Sequence, residues 1–263
     1  ETRHLYGTYS SGMNLYNLPS SMMTALTISV IPTVSASLAR NDRVHTSRVI
    51  NSSLRVTGLM AFPMGLGLWA LAEPIMKLCY PRYDSELGGS LLAVLGIASM
   101  FVCLMLISNS ILQSYGRVHV PVFTMLIGGV VKIIFNYNLT AVPSINIHAA
   151  PFGTLVCFVI VSSLNLFFVY RTMEDKPNYF KVFAKPLIAS LVMALCAKLS
   201  YRFFAAHIAL GGATMTQLVN VGLAVVLAVI VYVALVLALR IVTRDDLALL
   251  PKGEKLARVL HVR

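Results

Sequence analysis

Lys132 and Asn136 lie one helical turn apart, and Lys132 is the sole Asp, Glu, Lys or Arg between Arg117 and Arg171. A lone ammonium inside an apolar segment is costly unless it is paired or faces water, so a binding role is its first reading. Gly128 and Gly129 precede it by one turn and thin the same helix. A phosphate or similar anion suits a point charge on such a stripe. The competing reading is architectural: the ammonium snorkels, or bonds carbonyls of neighbouring helices.

Residues 12–39 carry the second constellation. Asn14, Asn17, Ser20, Ser21, Thr24, Thr27 and Ser29 run along an otherwise apolar segment that also holds Pro19 and Pro32. Asn14 and Asn17 are candidate substrate contacts and the two prolines candidate hinges. Proline interrupts a helical ladder, and the neighbouring hydroxyls are expected to take up the freed carbonyls. The alternative is a helix glued to its neighbours by those same hydroxyls. Asn109, Asn165 and Asn220 stand singly on other segments and read as inter-helix contacts. Glu73 has Lys77 at i+4 near a segment end, which suits a solvated ion pair.

No Gly-rich phosphate loop, HExxH, GxSxG or paired carboxylates occur, so no catalytic residue is assigned and an enzyme is not expected. Cys79, Cys103, Cys157 and Cys196 are far apart, without CxxC spacing or a histidine at ligand spacing; they suit core packing rather than a metal, and no cofactor is expected.

The elements that hold these residues follow from composition. Of 263 residues, 57% are hydrophobic and 12% charged, against roughly 25% charged in a soluble domain. Charge-free runs of 36, 30, 38 and 37 residues start at positions 4, 87, 133 and 203. Each exceeds the roughly 20 residues that cross a bilayer. Ten-residue alternation is absent, so the spans are helices, whose backbone bonds close internally. The fold class is all-α, a polytopic membrane protein with about seven spans, near residues 12–39, 54–79, 87–113, 119–138, 149–170, 183–206 and 214–241.

A net charge of +11 would suggest nucleic acid in a soluble protein; in a membrane protein it points to cytoplasmic loops, and no nucleic-acid partner is expected. Sorted by loop, fifteen Lys and Arg fall on one side, among them Arg40, Arg43, Arg48, Arg117, Arg171 and Lys176. The other side holds five: Arg3, Lys77, Arg82, Lys198 and Arg202. The positive-inside rule then puts the start of the chain outside and its end in the cytoplasm, in a cell membrane. Residues 243–263 intersperse Leu247, Leu250 and Leu256 with basic residues, as an interfacial helix on anionic lipid or as a solvated tail. Without an initiating methionine or a signal segment, the chain reads as part of something longer.

The string Gly7-Thr-Tyr-Ser-Ser-Gly-Met-Asn-Leu-Tyr-Asn-Leu-Pro19, followed by Ile28-Ser-Val-Ile-Pro32-Thr-Val-Ser35, resembles the eighth span of bacterial polysaccharide exporters. The likeness is to the stage V sporulation protein B and lipid II flippase branch of the multidrug/oligosaccharidyl-lipid/polysaccharide exporter superfamily. Pro63-Met-Gly-Leu-Gly-Leu, Glu73-Pro74-Ile75, Gln113-Ser-Tyr-Gly-Arg117 and Lys132-Ile-Ile-Phe-Asn136-Tyr agree in order, over about residues 7–171. The resemblance implies the carboxy-terminal half of a fourteen-span, MATE-like flippase that moves lipid-linked glycans by alternating access. Residues 1–171 would form the carboxy-terminal lobe without its first helix, 172–242 two additional spans, and 243–263 a basic tail. Expected partners are the lipid-linked glycan, membrane lipids and the missing amino-terminal lobe. The branch's lysine and asparagine match Lys132 and Asn136, whereas its lipid II flippases carry a cavity arginine where Asn14 stands, a departure that argues against lipid II. An ion-coupled multidrug exporter of the same superfamily and a non-transporting scaffold of envelope synthesis stay open; the first calls for acids deep in spans.

Overall fold

The computed structural model describes residues 2–140, 146–208, 212–239 and 241, and the tail at 243–263 and part of the loop before His148 lie outside them. The described residues form eight α-helices, α1 (Thr2–Ala39), α2 (Arg43–Ala70), α3 (Ala72–Cys79), α4 (Ser85–Ser114), α5 (His119–Thr140), α6 (Ala149–Thr172), α7 (Tyr179–His207) and α8 (Ala213–Ala238), with a 3-10 turn at Asn146–His148. Six of the helices are long and apolar enough to cross a membrane, seven crossings if the bent pair α2 and α3 is one span. The protein is a polytopic helical membrane protein.

Local chemistry sets the helix starts. Asp42, Asp84 and Asn178 cap α2, α4 and α7 by accepting from His45 N, from Glu86 N and Leu87 N, and from Lys181 N. Each satisfies donors that a first helical turn leaves open. Helix α4 is the hub, packed by α1, α2, α3 and α6, with Leu91, Leu95, Ile107 and Ile111 fully or nearly fully buried. Helix α5 rests on α6, while α7 bridges α2 and α8.

Three expectations change. The first span starts ten residues earlier and is continuous through Pro19 and Pro32. Its hydroxyls bond the carbonyls of Asn17, Leu18, Ser20, Leu26 and Ser29, not those of Leu15 and Ile28, four residues before each proline. The broken span is instead the second. It begins at Arg43 and bends by 75° between α2 and α3. Leu71 sits at the break, its N–H still reaching Gly67 O. Glu73 and Lys77 are both exposed on α3 and do not pair with each other, whereas Arg43 pairs with Glu174. Exposure explains the change, since water competes well for two solvated charges on one helix.

Candidate functional site

The polar residues of α1 separate into two faces. Thr8, Ser11, Tyr16, Met23 and Thr27 point into the protein and are buried. Ser10, Asn14, Asn17, Ser21 and Thr24, at alternating steps of four and three, are all exposed and form one stripe. Ser21 and Thr24 spend their hydroxyls on the carbonyls of Leu18 and Ser20. The exposed amides of Asn14 and Asn17, with the Ser10 hydroxyl, are therefore the groups this stripe offers to a neighbour. A polar stripe is unfavourable against hydrocarbon and suits a water-filled space or a polar partner.

Beside the stripe the surface changes character. Leu18 and Pro19 border an apolar groove of about 440 Å³ that runs across Pro63 and Gly67 of α2, Met193 of α7 and Ala228 and Tyr232 of α8. Pro19 is buried at its edge, whereas Pro32 is exposed.

Lys132 and Asn136 occupy a different wall. The buried positions Val120, Thr124 and Gly128 recur every four residues along the face of α5 turned to α6, and the same spacing carries on to Lys132 and Asn136 at its edge, both half-buried. Gly128 lets the helices approach, since a Cβ there would run into Val161 Cγ2 and meet Cys157 Sγ at 3.1 Å. Asn136 lies against Gly153, and its Oδ1 is buried with no hydrogen-bond partner among the described residues. Lys132 is thirteen residues beyond His119, about 20 Å along the helix axis and so deep in the span. Helices α1 and α5 share no extensive packing, so the four expected substrate residues fall into two patches, Asn14 and Asn17 on α1, which packs on α4, and Lys132 and Asn136 on α5, which packs on α6.

A polar node pins α5 near its other end. Thr124 Oγ1 donates to Asn165 Oδ1 at 2.7 Å, and Asn165 Nδ2 donates to Asn109 Oδ1 at 2.6 Å. Asn109 and Asn165 thus act between helices as expected. Thr124 escaped the sequence reading because a threonine in an apolar run gives no signal of its own. Asn220 is buried on α8, its Oδ1 without a hydrogen-bond partner among the described residues. Among the described residues no three His, Cys, Asp or Glu side chains are grouped to hold a metal.

The loops sorted by charge also meet in space. Asn41, Arg43, Arg117, Met173, Glu174 and Asp175 line one cleft of about 350 Å³, which brings three basic-side loops to one end of the bundle. Burial there, together with the Glu174 and Asp175 carboxylates, pushes the Tyr115 phenol above its usual pKa. Lys77, Tyr83 and Ser85 meet Thr214 and Gln217 at another cleft.

A family model described as MatE matches residues 7–138. The chain is 24% identical over 268 aligned residues to the "Uncharacterized membrane protein YabM" of Bacillus subtilis (strain 168), covering all of this chain and 48% of that protein. It is 22% identical over 183 residues to the "Lipid II flippase MurJ" of the same organism, covering 68% of this chain and 32% of the relative. With the "Succinoglycan biosynthesis transport protein ExoT" of Rhizobium meliloti (strain 1021) it shares 26% over 216 residues, 77% of this chain and 40% of the relative. The chain thus spans about half the length, or less, of these curated relatives. The matched family region covers half of the sequence and takes in α2 to α4 with most of α1 and α5, the helices that carry the polar stripe and Lys132: the chain belongs to the MatE family.

Proposed function

We propose that this chain is the carboxy-terminal part of a membrane transporter that moves a lipid-linked oligosaccharide or polysaccharide precursor across the cell membrane by alternating access. Residues 1–171 act as the carboxy-terminal lobe facing a missing amino-terminal one, 172–242 as two additional spans, and 243–263 as a cytoplasmic tail. One observation carries the reading: the exposed stripe of Asn14 and Asn17 lies next to the apolar groove at Leu18 and Pro19. A glycan needs hydrogen-bonding groups and its lipid tail needs an apolar lane, and α1 offers both on adjoining faces. Lys132 and Asn136, on their separate wall of α5, would meet the substrate's phosphate at another stage of the cycle, the ammonium as a point charge and the amide as a hydrogen-bond partner. The names of two relatives, a lipid II flippase and a succinoglycan transport protein, agree with this substrate class. The stage V sporulation protein B-like branch is the assignment within the family.

The ion-coupled multidrug reading lacks mid-span acids. Among the described residues Asp42 and Asp84 are helix caps, Glu86 is in a first turn, Glu73 is exposed on the short α3, and Glu174 and Asp175 are in a loop. The test is Lys132→Met in the full-length protein, reconstituted in vesicles with a fluorescent polyprenyl-linked oligosaccharide. Flipping should fall to background at unchanged protein amount, and Lys132→Arg should retain part of the rate because the charge stays. Normal transport by Lys132→Met would remove the lysine from the mechanism. Ion-gradient-driven drug export with no glycan flipping would favour the multidrug reading, and no transport of either kind the scaffold.

A further inference from the structure

Helices α5 and α6 meet in one antiparallel register, which pairs Thr124 with Asn165, Gly128 with Val161 and Asn136 with Gly153. The same register sets Lys132 opposite Cys157, whose thiol is in electrostatic range of the ammonium. Among the described residues Lys132 makes no ion pair and no hydrogen bond. Gly153 is buried, and where a side chain would begin it turns a Cα hydrogen to Asn136 Oδ1. A Cα hydrogen is a weak donor, so a carbonyl oxygen fits against it and an NH2 group does not. The amide is thereby oriented. Its Oδ1 is closed off against α6, the residue as a whole is half-buried, and the outward end is Nδ2, which bonds nothing among the described residues.

Resting on the transport reading for the ligand, we infer that Gly153 is a positioning residue that makes this wall a donor-only subsite for the phosphate oxygens of the lipid-linked substrate. Lys132 and Asn136 are four residues apart, about 6 Å along the helix axis, and the flexible lysine stem brings its ammonium to the level of the amide. Two outward donors and no outward acceptor match a group that only accepts, the phosphodiester or diphosphate between lipid and sugar. A hydroxyl can accept from Nδ2 but finds no acceptor for its own hydrogen, whereas charged oxygens accept from both groups. Reversing the amide would set its NH2 hydrogens against the Gly153 Cα, so the orientation is held before a ligand arrives, which lowers the cost of binding. The glycine touches no ligand and acts through Asn136 alone, which makes its effect separable from helix packing.

The experiment compares binding of a polyprenyl phosphate with that of the polyprenol of equal length to the full-length protein in detergent, beside flipping of the fluorescent polyprenyl-linked oligosaccharide in vesicles. The wild type should prefer the phosphate by about tenfold or more. Asn136→Ala and Gly153→Ala should each cut that preference by about tenfold, the scale of one hydrogen bond to a charged group, with polyprenol binding unchanged. Asn136→Asp keeps the size of the side chain but loses both donor hydrogens, and should abolish the preference. Gly153→Ala should also unfold at a lower temperature, because its Cβ would run into Oδ1 and meet Asn136 Cγ at 3.0 Å. In the double variant Gly153→Ala, Asn136→Ala the unfolding temperature should recover, while the preference falls no further than in either single variant. Additive losses, or equal losses of phosphate and polyprenol binding in Gly153→Ala, would reduce the glycine to packing and overturn the positioning role. A normal preference in Asn136→Asp, or weaker polyprenol binding in Asn136→Ala, would overturn the donor-only subsite. Wild-type protein that shows the expected preference yet flips no glycan lipid would remove the transport reading and leave the subsite standing.

Discussion

The phenol of Tyr232 on α8 donates to the backbone carbonyl of Leu59 on α2 at 2.7 Å, across 173 residues of sequence. Leu59 stands four residues before Pro63, so its carbonyl is the one whose helical donor the proline removes. The tyrosine replaces that donor from another helix. Pro63 consequently remains inside an unbroken α2, and α8 gains a fixed register against it. Tyr232→Phe should cost about 0.6 kcal/mol, the usual scale of an inter-helix hydrogen bond within a membrane. In a Pro63→Ala background, residue 63 regains its own N–H, and the same substitution should cost close to nothing. A double-mutant cycle read by thermal unfolding measures that difference; equal costs in both backgrounds would disprove the replacement.

Close approach of α2 and α4 depends on Gly65 and Gly96, which face each other. A Cβ on Gly65 would run into Met100 Cγ and come 2.6 Å from Gly96 O, and one on Gly96 would lie 2.9 Å from Gly65 O. Backbone atoms cannot step aside as a side-chain end can, so Gly65→Ala should destabilise by about 1–3 kcal/mol. Gly129 on α5 has nothing within 4 Å of its ideal Cβ. There alanine should be neutral or stabilising by up to about 1 kcal/mol, through helix propensity alone. Thermal unfolding of the two variants side by side checks the contrast, and a stable Gly65→Ala protein would refute the tight crossing.

Helical spans were legible because charge-free runs longer than a bilayer admit few other structures, and the helix ends at Asp84, Tyr115 and Glu174 carried their own punctuation. The bend at Leu71 was harder to read. Its signal was Pro74, which sits in the first turn of α3, where a missing N–H has no helical acceptor to lose. Hydropathy averages over such a break and returns one span. The polar content of α1 was plain in the sequence, but the division into Asn14, Asn17 and Ser21 outside and Thr8, Ser11 and Thr27 inside required the packing of α1 on α4. Partners far apart in sequence, such as Tyr232 with Leu59 or Thr124 with Asn165, leave no local trace.

Charge sorting also yields an orientation for the bundle. Arg48, Arg117 and Lys176 are exposed and belong to the basic end, where three loops meet at one cleft. Single cysteines at these positions should be shielded from an impermeant thiol reagent added outside intact cells, and ones at Ser85 and Asn146 labelled. Labelling at Arg48 from outside would invert the orientation.

Pro19 tests whether α1 moves. The helix is continuous through it, so the proline does not break the span in this state; it removes one donor, at Leu15 O, and sits buried where α1 borders the apolar groove. Restoring that bond with Pro19→Ala should stiffen α1 and stabilise the protein, by at most the roughly 3 kcal/mol that an interior proline costs a helix. If α1 bends as the two lobes alternate, the stiffened helix favours one state over the other. Transport in the full-length protein should then slow, and a cysteine at Asn14 should become accessible from one side only. A static role for Pro19 instead leaves turnover and two-sided accessibility as they are, with a higher unfolding temperature as the sole effect. Measuring turnover, accessibility and unfolding together separates the two, because stability rises in both cases whereas the rate and the sidedness change only if the helix must bend.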